Sequence, residues 1–75
     1  MIEIWGKANC PQCDTAKKLC ETKGINYVYK KLDIDFTREE VLAEFPGART
    51  FPQIKASDKV LGGLKQLEEH LEHTN

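Results

Sequence analysis

Seventy-five residues with 40% hydrophobic and 31% charged side chains are enough for one compact domain over residues 1–75, and a domain this small buries only about 60% of the surface its unfolded chain exposes. No run approaches the ~18 apolar residues of a membrane span, and no basic stretch followed by an apolar one marks a secretory signal, so a cytoplasmic protein without a membrane role is expected. The net charge of −1 is too balanced for a general nucleic-acid binder.

Met1–Trp5 alternates polar and apolar residues and predicts a first strand. Gly6–Asn9 follows as a loop. Cys10-Pro11 then opens a helix, because proline is favoured at the first helical position, where its missing N–H is not needed. Cys13, Ala16, Leu19 and Cys20 share one face of that helix, and Gly24 is suited to end it, with Ile25 folding back over the last turn.

Tyr27–Asp33 predicts a second strand. Thr37 and Glu40 have the spacing of a capping box, and Phe36 with Val41 that of a hydrophobic staple. The helix so started is expected to turn Val41, Leu42 and Phe45 inward and to stop at Pro46-Gly47. Gln53–Ala56 and Lys59–Leu61 flank Ser57-Asp58 as a hairpin. After Gly62-Gly63, the spacing of Leu64, Leu67 and Leu71 predicts a last amphipathic helix that frays at His73–Asn75. The order is β-α-β-α-β-β-α, with the first two strands parallel through a right-handed crossover.

Three cysteines in a chain without a secretory signal do not resemble a secreted disulfide framework. Two of them form Cys10-Pro11-Gln12-Cys13 where a strand gives way to a helix. Unpaired N–H groups and the macrodipole at the helix start favour a negative charge on Cys10. Its thiol should therefore ionise well below the ordinary value of about 8.5, which makes it the attacking sulfur. Cys13, one turn further in, is placed to resolve the mixed disulfide.

Charge is unevenly distributed along the chain. Residues 1–31 hold six lysines and three acids, net +3, whereas the remainder holds five basic and nine acidic residues, net −4. This is either a solvated dipolar surface or a positive field around Cys10, to which Lys7 contributes. A metal site is the rival from another class. Zinc needs four ligands, and only His70 and His73, three apart on the last helix, are available to join the cysteine pair. Their spacing fits no common zinc motif, so no metal is expected. Cys20 is expected to be a small buried hydrophobe.

Cys10–Leu19, CPQCDTAKKL, resembles the active-site helix of glutaredoxins, C-P-x-C-x-x-A-K-x-L. Lys23-Gly24 closes that helix, Thr50-Phe51-Pro52-Gln53-Ile54 is similar to the family's T-V-P-Q-I, and Gly62-Gly63 follows at the usual distance. The resemblance implies a thioredoxin-like fold with a four-stranded mixed sheet and three helices. It also implies a cis peptide before Pro52 in a loop facing the thiols, a monomer, and glutathione-coupled reduction of protein disulfides and mixed disulfides, ribonucleotide reductase being one substrate.

Lys7, Pro11, Gln12, Arg49, Thr50, Phe51, Pro52, Gly63, Leu64 and Lys65 become the substrate-binding candidates. Phe51 would pair its backbone with the bound main chain. Arg49 is either a carboxylate partner or a solvated loop charge.

Two positions depart from the family pattern. Leu64-Lys65-Gln66 stands where the family places acids for the α-amino group of glutathione, and Gln12 replaces an aromatic between the cysteines. These departures keep open a glutaredoxin-like donor recharged by thioredoxin reductase. A bridged iron–sulfur cluster is a further rival, disfavoured by Pro11.

Overall fold

The computed structural model describes residues 1–72. The expected fraying at His73–Asn75 lies outside the described residues. Strands β1 (Ile2–Gly6), β2 (Tyr27–Lys31), β3 (Gln53–Ala56) and β4 (Lys59–Gly62) alternate with helices α1 (Pro11–Thr22), α2 (Arg38–Glu44) and α3 (Leu64–Glu72) in the expected order. The sheet runs β2-β1-β3-β4. β1 and β2 are parallel, with Ile2 opposite Tyr27; β3 is antiparallel to both β1 and β4, with Ile4 opposite Ile54. This is a thioredoxin-like fold.

The alternation of β1 divides the apolar residues between two layers. Ile2 and Ile4 face α1 and α3, where they bury with Ala16, Cys20, Ile54, Leu67 and Leu71. Trp5 faces the other way and joins Phe36, Val41 and Phe45 beneath α2. The Trp5 ring lies 4.7 Å from Phe36 and 5.4 Å from Phe45, centroid to centroid, within the range where aromatic rings attract beyond simple burial. Lys30 covers its edge of the cluster, with Nζ 4.7 Å from the indole centroid and 3.2 Å from Glu3.

Local signals end and start the helices as their sequences imply. Gly24 adopts φ +67°, which lets its N–H reach the Glu21 carbonyl while Ile25 N–H reaches that of Cys20; these two bonds make a Schellman motif. At α2, Thr37 Oγ1 accepts from Glu40 N–H and Glu40 Oε1 accepts from Thr37 N–H, at 3.2 and 2.9 Å. Phe36 and Val41 are both buried in the same cluster, which completes the staple.

Four expectations need correction, the first being that β4 runs one residue past the expected Leu61, to Gly62. β1 is displaced by one residue, to Ile2–Gly6. β2 ends at Lys31, not Asp33, because Asp33 turns the chain at φ +68° and Asp35 Oδ2 accepts from Lys31 N–H. Leu42 is 43% exposed; with only seven residues, α2 buries the narrow Val41–Phe45 stripe and turns Leu42 towards a surface cleft.

Because the capping box ties two backbone N–H groups to side chains, Thr37→Ala should lower stability by about 1 kcal/mol. Thr37→Ser should recover most of the loss, since it keeps the hydroxyl. Urea unfolding of the three proteins measures this, and the midpoint of thermal unfolding should fall by about 4–8 °C in the alanine variant.

Candidate active site

Cys10 is the N-cap residue of α1, with extended backbone geometry and Pro11 at the first helical position. The chain enters the helix through Lys7–Cys10, turned by Asn9 at φ +55°. The close fit of Tyr29 over Gly6 holds the start of this loop. A methyl group on Gly6 would collide with the Tyr29 hydroxyl, and Tyr29 Oη donates to the Lys7 carbonyl at 3.5 Å.

Cys10 and Cys13 are joined as a disulfide, with their Cα atoms 5.2 Å apart. Cys13 N–H donates to Cys10 Sγ at 3.2 Å. The donor is therefore in place for a thiolate once the bond is reduced. Exposure separates the two sulfurs' roles, since Cys10 retains 8% and Cys13 none.

The Phe51–Pro52 peptide is cis. Pro52 immediately precedes β3, whose Gln53 pairs with Trp5 near the end of β1. The loop thus stands at the same end of the sheet as Cys10. Gln53 Nε2 donates to the Thr50 carbonyl at 2.6 Å and ties the loop down. Lys7 Nζ lies 5.9 Å from the Phe51 ring centroid, which brings the cysteine loop and the proline loop together.

Gly63 approaches from β4. A Cβ built there would be 3.7 Å from the Pro52 carbonyl oxygen. Gly62 needs to be glycine, since its φ is +120° and the Gln66 side chain is 3.1 Å from where a Cβ would stand. Gln66 Oε1 accepts from Gly63 N–H at 2.9 Å.

A family model described as Glutaredoxin matches residues 2–61. The chain belongs to the glutaredoxin family. It is 39% identical over 67 residues to a probable glutaredoxin of Synechocystis sp., covering 88% of this chain and 62% of that protein. It therefore spans less than two thirds of that relative's length. It is 32% identical over 66 residues to glutaredoxin 3 of Escherichia coli K12, covering 88% of this chain and 80% of the relative. Among solved structures, the buckwheat glutaredoxin–glutathione complex superposes with a TM-score of 0.78 at 26% identity, over 96% of this chain and 69% of that one.

With the family established, its motif residues can be placed in this chain. Lys7 and Phe51 are brought into contact; Thr50, Pro52 and Gly63 frame the same end of the sheet. Pro11 and Gln12 are exposed on the first turn of α1, and the Pro11 carbonyl accepts from Thr15 Oγ1 at 3.0 Å. Leu64 is half-buried against the main core and so is a packing residue, while Lys65 is exposed. The first turn of α3 carries no acid.

Arg49 is exposed on a cleft shared with Arg38, a residue that sequence reasoning passed over. Its only sequence signal is a cation at the first position of a helix, where the macrodipole disfavours it.

His70 lines a groove with Met1, Ile2, Lys23 and Ser57, at the opposite end of β1 from Cys10. His73 lies outside the described residues, and among the described residues no cluster of three or more His, Cys, Asp or Glu is placed to hold a metal ion.

Cys20 is fully buried, as expected, and is free. Burial, and secondarily the charge of Glu21, pushes its thiol above the ordinary value. The folded state favours the neutral thiol, so its contribution to stability is complete below the unfolded thiol's range and is lost progressively as pH rises from there to the raised folded value.

The three thiols should therefore differ in alkylation. After mild reduction at pH 7, iodoacetamide should label Cys10 first, Cys13 far more slowly and Cys20 only after denaturation. Mass spectrometry of the digested protein reads the order, and thiolate absorbance against pH should place Cys10 below about 8.5. Early labelling of Cys20, or a Cys13 more acidic than Cys10, would overturn the assignment.

Proposed function

We propose that this chain is a glutathione-coupled thiol–disulfide oxidoreductase that reduces protein disulfides and glutathione mixed disulfides, with ribonucleotide reductase among its protein substrates. The observation that carries the reading is the Cys10–Cys13 pair at the start of α1, with Cys13 fully enclosed, Cys10 keeping a little exposure and the Phe51–Pro52 loop at the same end of the sheet.

In the reduced protein the Cys10 thiolate attacks one sulfur of the substrate disulfide. A Cys10–substrate disulfide forms and the other substrate sulfur leaves as a thiolate that takes a proton. Cys13 loses its proton, attacks Cys10 Sγ and releases the second substrate thiol. The substrate has gained two electrons, and the protein holds them no longer, as the Cys10–Cys13 disulfide. Two glutathione molecules restore the dithiol and leave as glutathione disulfide.

Support for glutathione comes from the shared fold of the buckwheat glutaredoxin–glutathione complex and from Gly63 beside the Pro52 carbonyl. In this reading the Phe51 backbone pairs with the glutathione main chain. Lys7 and Arg49 receive carboxylates, Thr50 and Pro52 shape the loop, and Pro11 and Gln12 form the exposed rim.

Lys65 and the acid-free first turn of α3 favour a second reading, an electron donor recharged by thioredoxin reductase. A coupled assay separates the two: turnover with glutathione and its reductase supports the first, and turnover only with thioredoxin reductase supports the second.

Cys10→Ser should abolish all reduction. Cys13→Ser should keep reduction of glutathione mixed disulfides and lose that of protein disulfides needing a resolving thiol. Equal residual activities in the two variants would contradict these roles.

Lys65→Asp should lower KM for glutathione mixed disulfides by about two- to fivefold, the equivalent of ~0.5–1 kcal/mol for an exposed ion pair at moderate salt. Thiolate content must be measured in the same variant, because the altered local charge also acts on Cys10. A higher KM with unchanged thiolate content would mean that Lys65 contacts a ligand carboxylate.

A further inference from the structure

Tyr27 and Tyr29 stand two residues apart on β2, and the alternation of the strand packs both against the core beneath α1. Each grips one end of that helix. Tyr27 Oη donates to Glu21 Oε2 at 2.7 Å, near the last turn. Tyr29 lies towards the other end, and its contacts fall on both sides of Cys10.

On the loop side, the ring covers Gly6 so closely that a Cβ there would meet Cε1 and Cζ at 2.9 Å and collide with Oη. The hydroxyl of the same ring donates to the Lys7 carbonyl. On the helix side, Lys17 Nζ rests 4.3 Å from the ring centroid, close enough for a cation–π attraction, and 3.6 Å from Asp14 Oδ1. Asp14 N–H in turn donates to the Cys10 carbonyl at 3.2 Å, the bond that starts the helix. Burial, and secondarily the charge of Asp14, pushes the Tyr29 hydroxyl above its ordinary range, so it stays a protonated donor up to mildly alkaline pH.

We propose that Tyr29 is a positioning residue of the redox site: its ring clamps the β1–α1 loop against the first turns of α1 and so holds Cys10 at the helix start. The inference rests on the dithiol reading above and adds the residue that keeps the attacking sulfur in place. Tyr29 acts through the backbone on either side of Cys10. A looser junction lets Cys10 drift from the unpaired N–H groups of the first turn, which favour its thiolate. The hydroxyl bond is long, at 3.5 Å, and therefore weak, so the ring carries most of the effect.

The test follows thiolate absorbance of the reduced protein against pH, and the pH profile of kcat/KM for the mixed disulfide of glutathione with 2-mercaptoethanol. Tyr29→Ala should raise the Cys10 midpoint by about half a pH unit in both readouts. On the acid limb kcat/KM should fall only about twofold, because the more basic thiolate that remains is the better nucleophile. Tyr29→Phe keeps the ring and should stay within about 0.2 unit of the unaltered protein.

Gly6→Ala should reproduce the Tyr29→Ala shift, since the added methyl group evicts the ring. In the double variant Gly6→Ala, Tyr29→Ala the methyl group meets no ring, so the midpoint should move no further than in Tyr29→Ala alone. Tyr27→Ala is the structural control. It removes a similar ring from the same face of β2 and should lower the unfolding temperature without moving the midpoint.

An unmoved midpoint in Tyr29→Ala would overturn the clamp. So would an equal shift in Tyr27→Ala, a Tyr29→Phe shift as large as that of Tyr29→Ala, or additive shifts in the double variant. Absence of turnover in the unaltered protein would instead overturn the reduction of glutathione mixed disulfides, and the absorbance midpoints would still decide the clamp.

Discussion

Helix α1 lies on the sheet through Cys13, Ala16 and Cys20, all without exposed surface, and only four residues separate its first turn from the end of β1. Small side chains on that face let the helix approach β1 closely. Tyr29, packed over Gly6, leaves the connecting loop little room. Together these contacts make Cys10 the N-cap, and most of the site's chemistry follows from that position. The same close packing encloses Cys13 completely and leaves Cys10 a little exposure.

The second half of the site is brought in by strand pairing. β3 runs antiparallel to β1, so the residues preceding it arrive where the residues following β1 depart. Gln53 faces Trp5 in this register and fastens the loop through the Thr50 carbonyl. The Lys7 ammonium spans the two loops by resting over the Phe51 ring. Gly62-Gly63 brings the start of α3 to the same place, where the first turn carries the exposed cation of Lys65 and no acid.

Features set by neighbours in the chain were legible from the sequence. The Thr37–Glu40 capping box, the Phe36–Val41 staple, the Gly24 terminus of α1 and the C-P-x-C pair each depend on residues within a few positions of one another. The family resemblance added the cis proline loop, whose partners are distant in sequence.

What escaped was set by tertiary context. Leu42 has the composition of a core residue, but a seven-residue helix across one corner of the sheet has no inner surface left for it. Tyr27–Asp33 has strand-like composition throughout, yet Asp35 captures the Lys31 N–H and turns the chain early. Arg38 looked like one more surface charge, because only the folded chain shows that it lines the same cleft as Arg49.

Cys13 and Cys20 show how far position governs chemistry within one helix. They are two turns apart on the same buried face. Cys13 is near the helix start, with a sulfur partner one turn away at the accessible N-cap. Cys20 is near the end, enclosed by Ile2, Ile4, Ile54, Leu67 and Leu71, and burial and Glu21 both hold it in the neutral form. A neutral thiol in an apolar enclosure is a poor nucleophile, so no separate device is needed to keep a third cysteine out of the exchange. One helix thus carries the cysteine pair at its start and a third cysteine enclosed in the core, so the redox pair is built from two cysteines in a chain that has three.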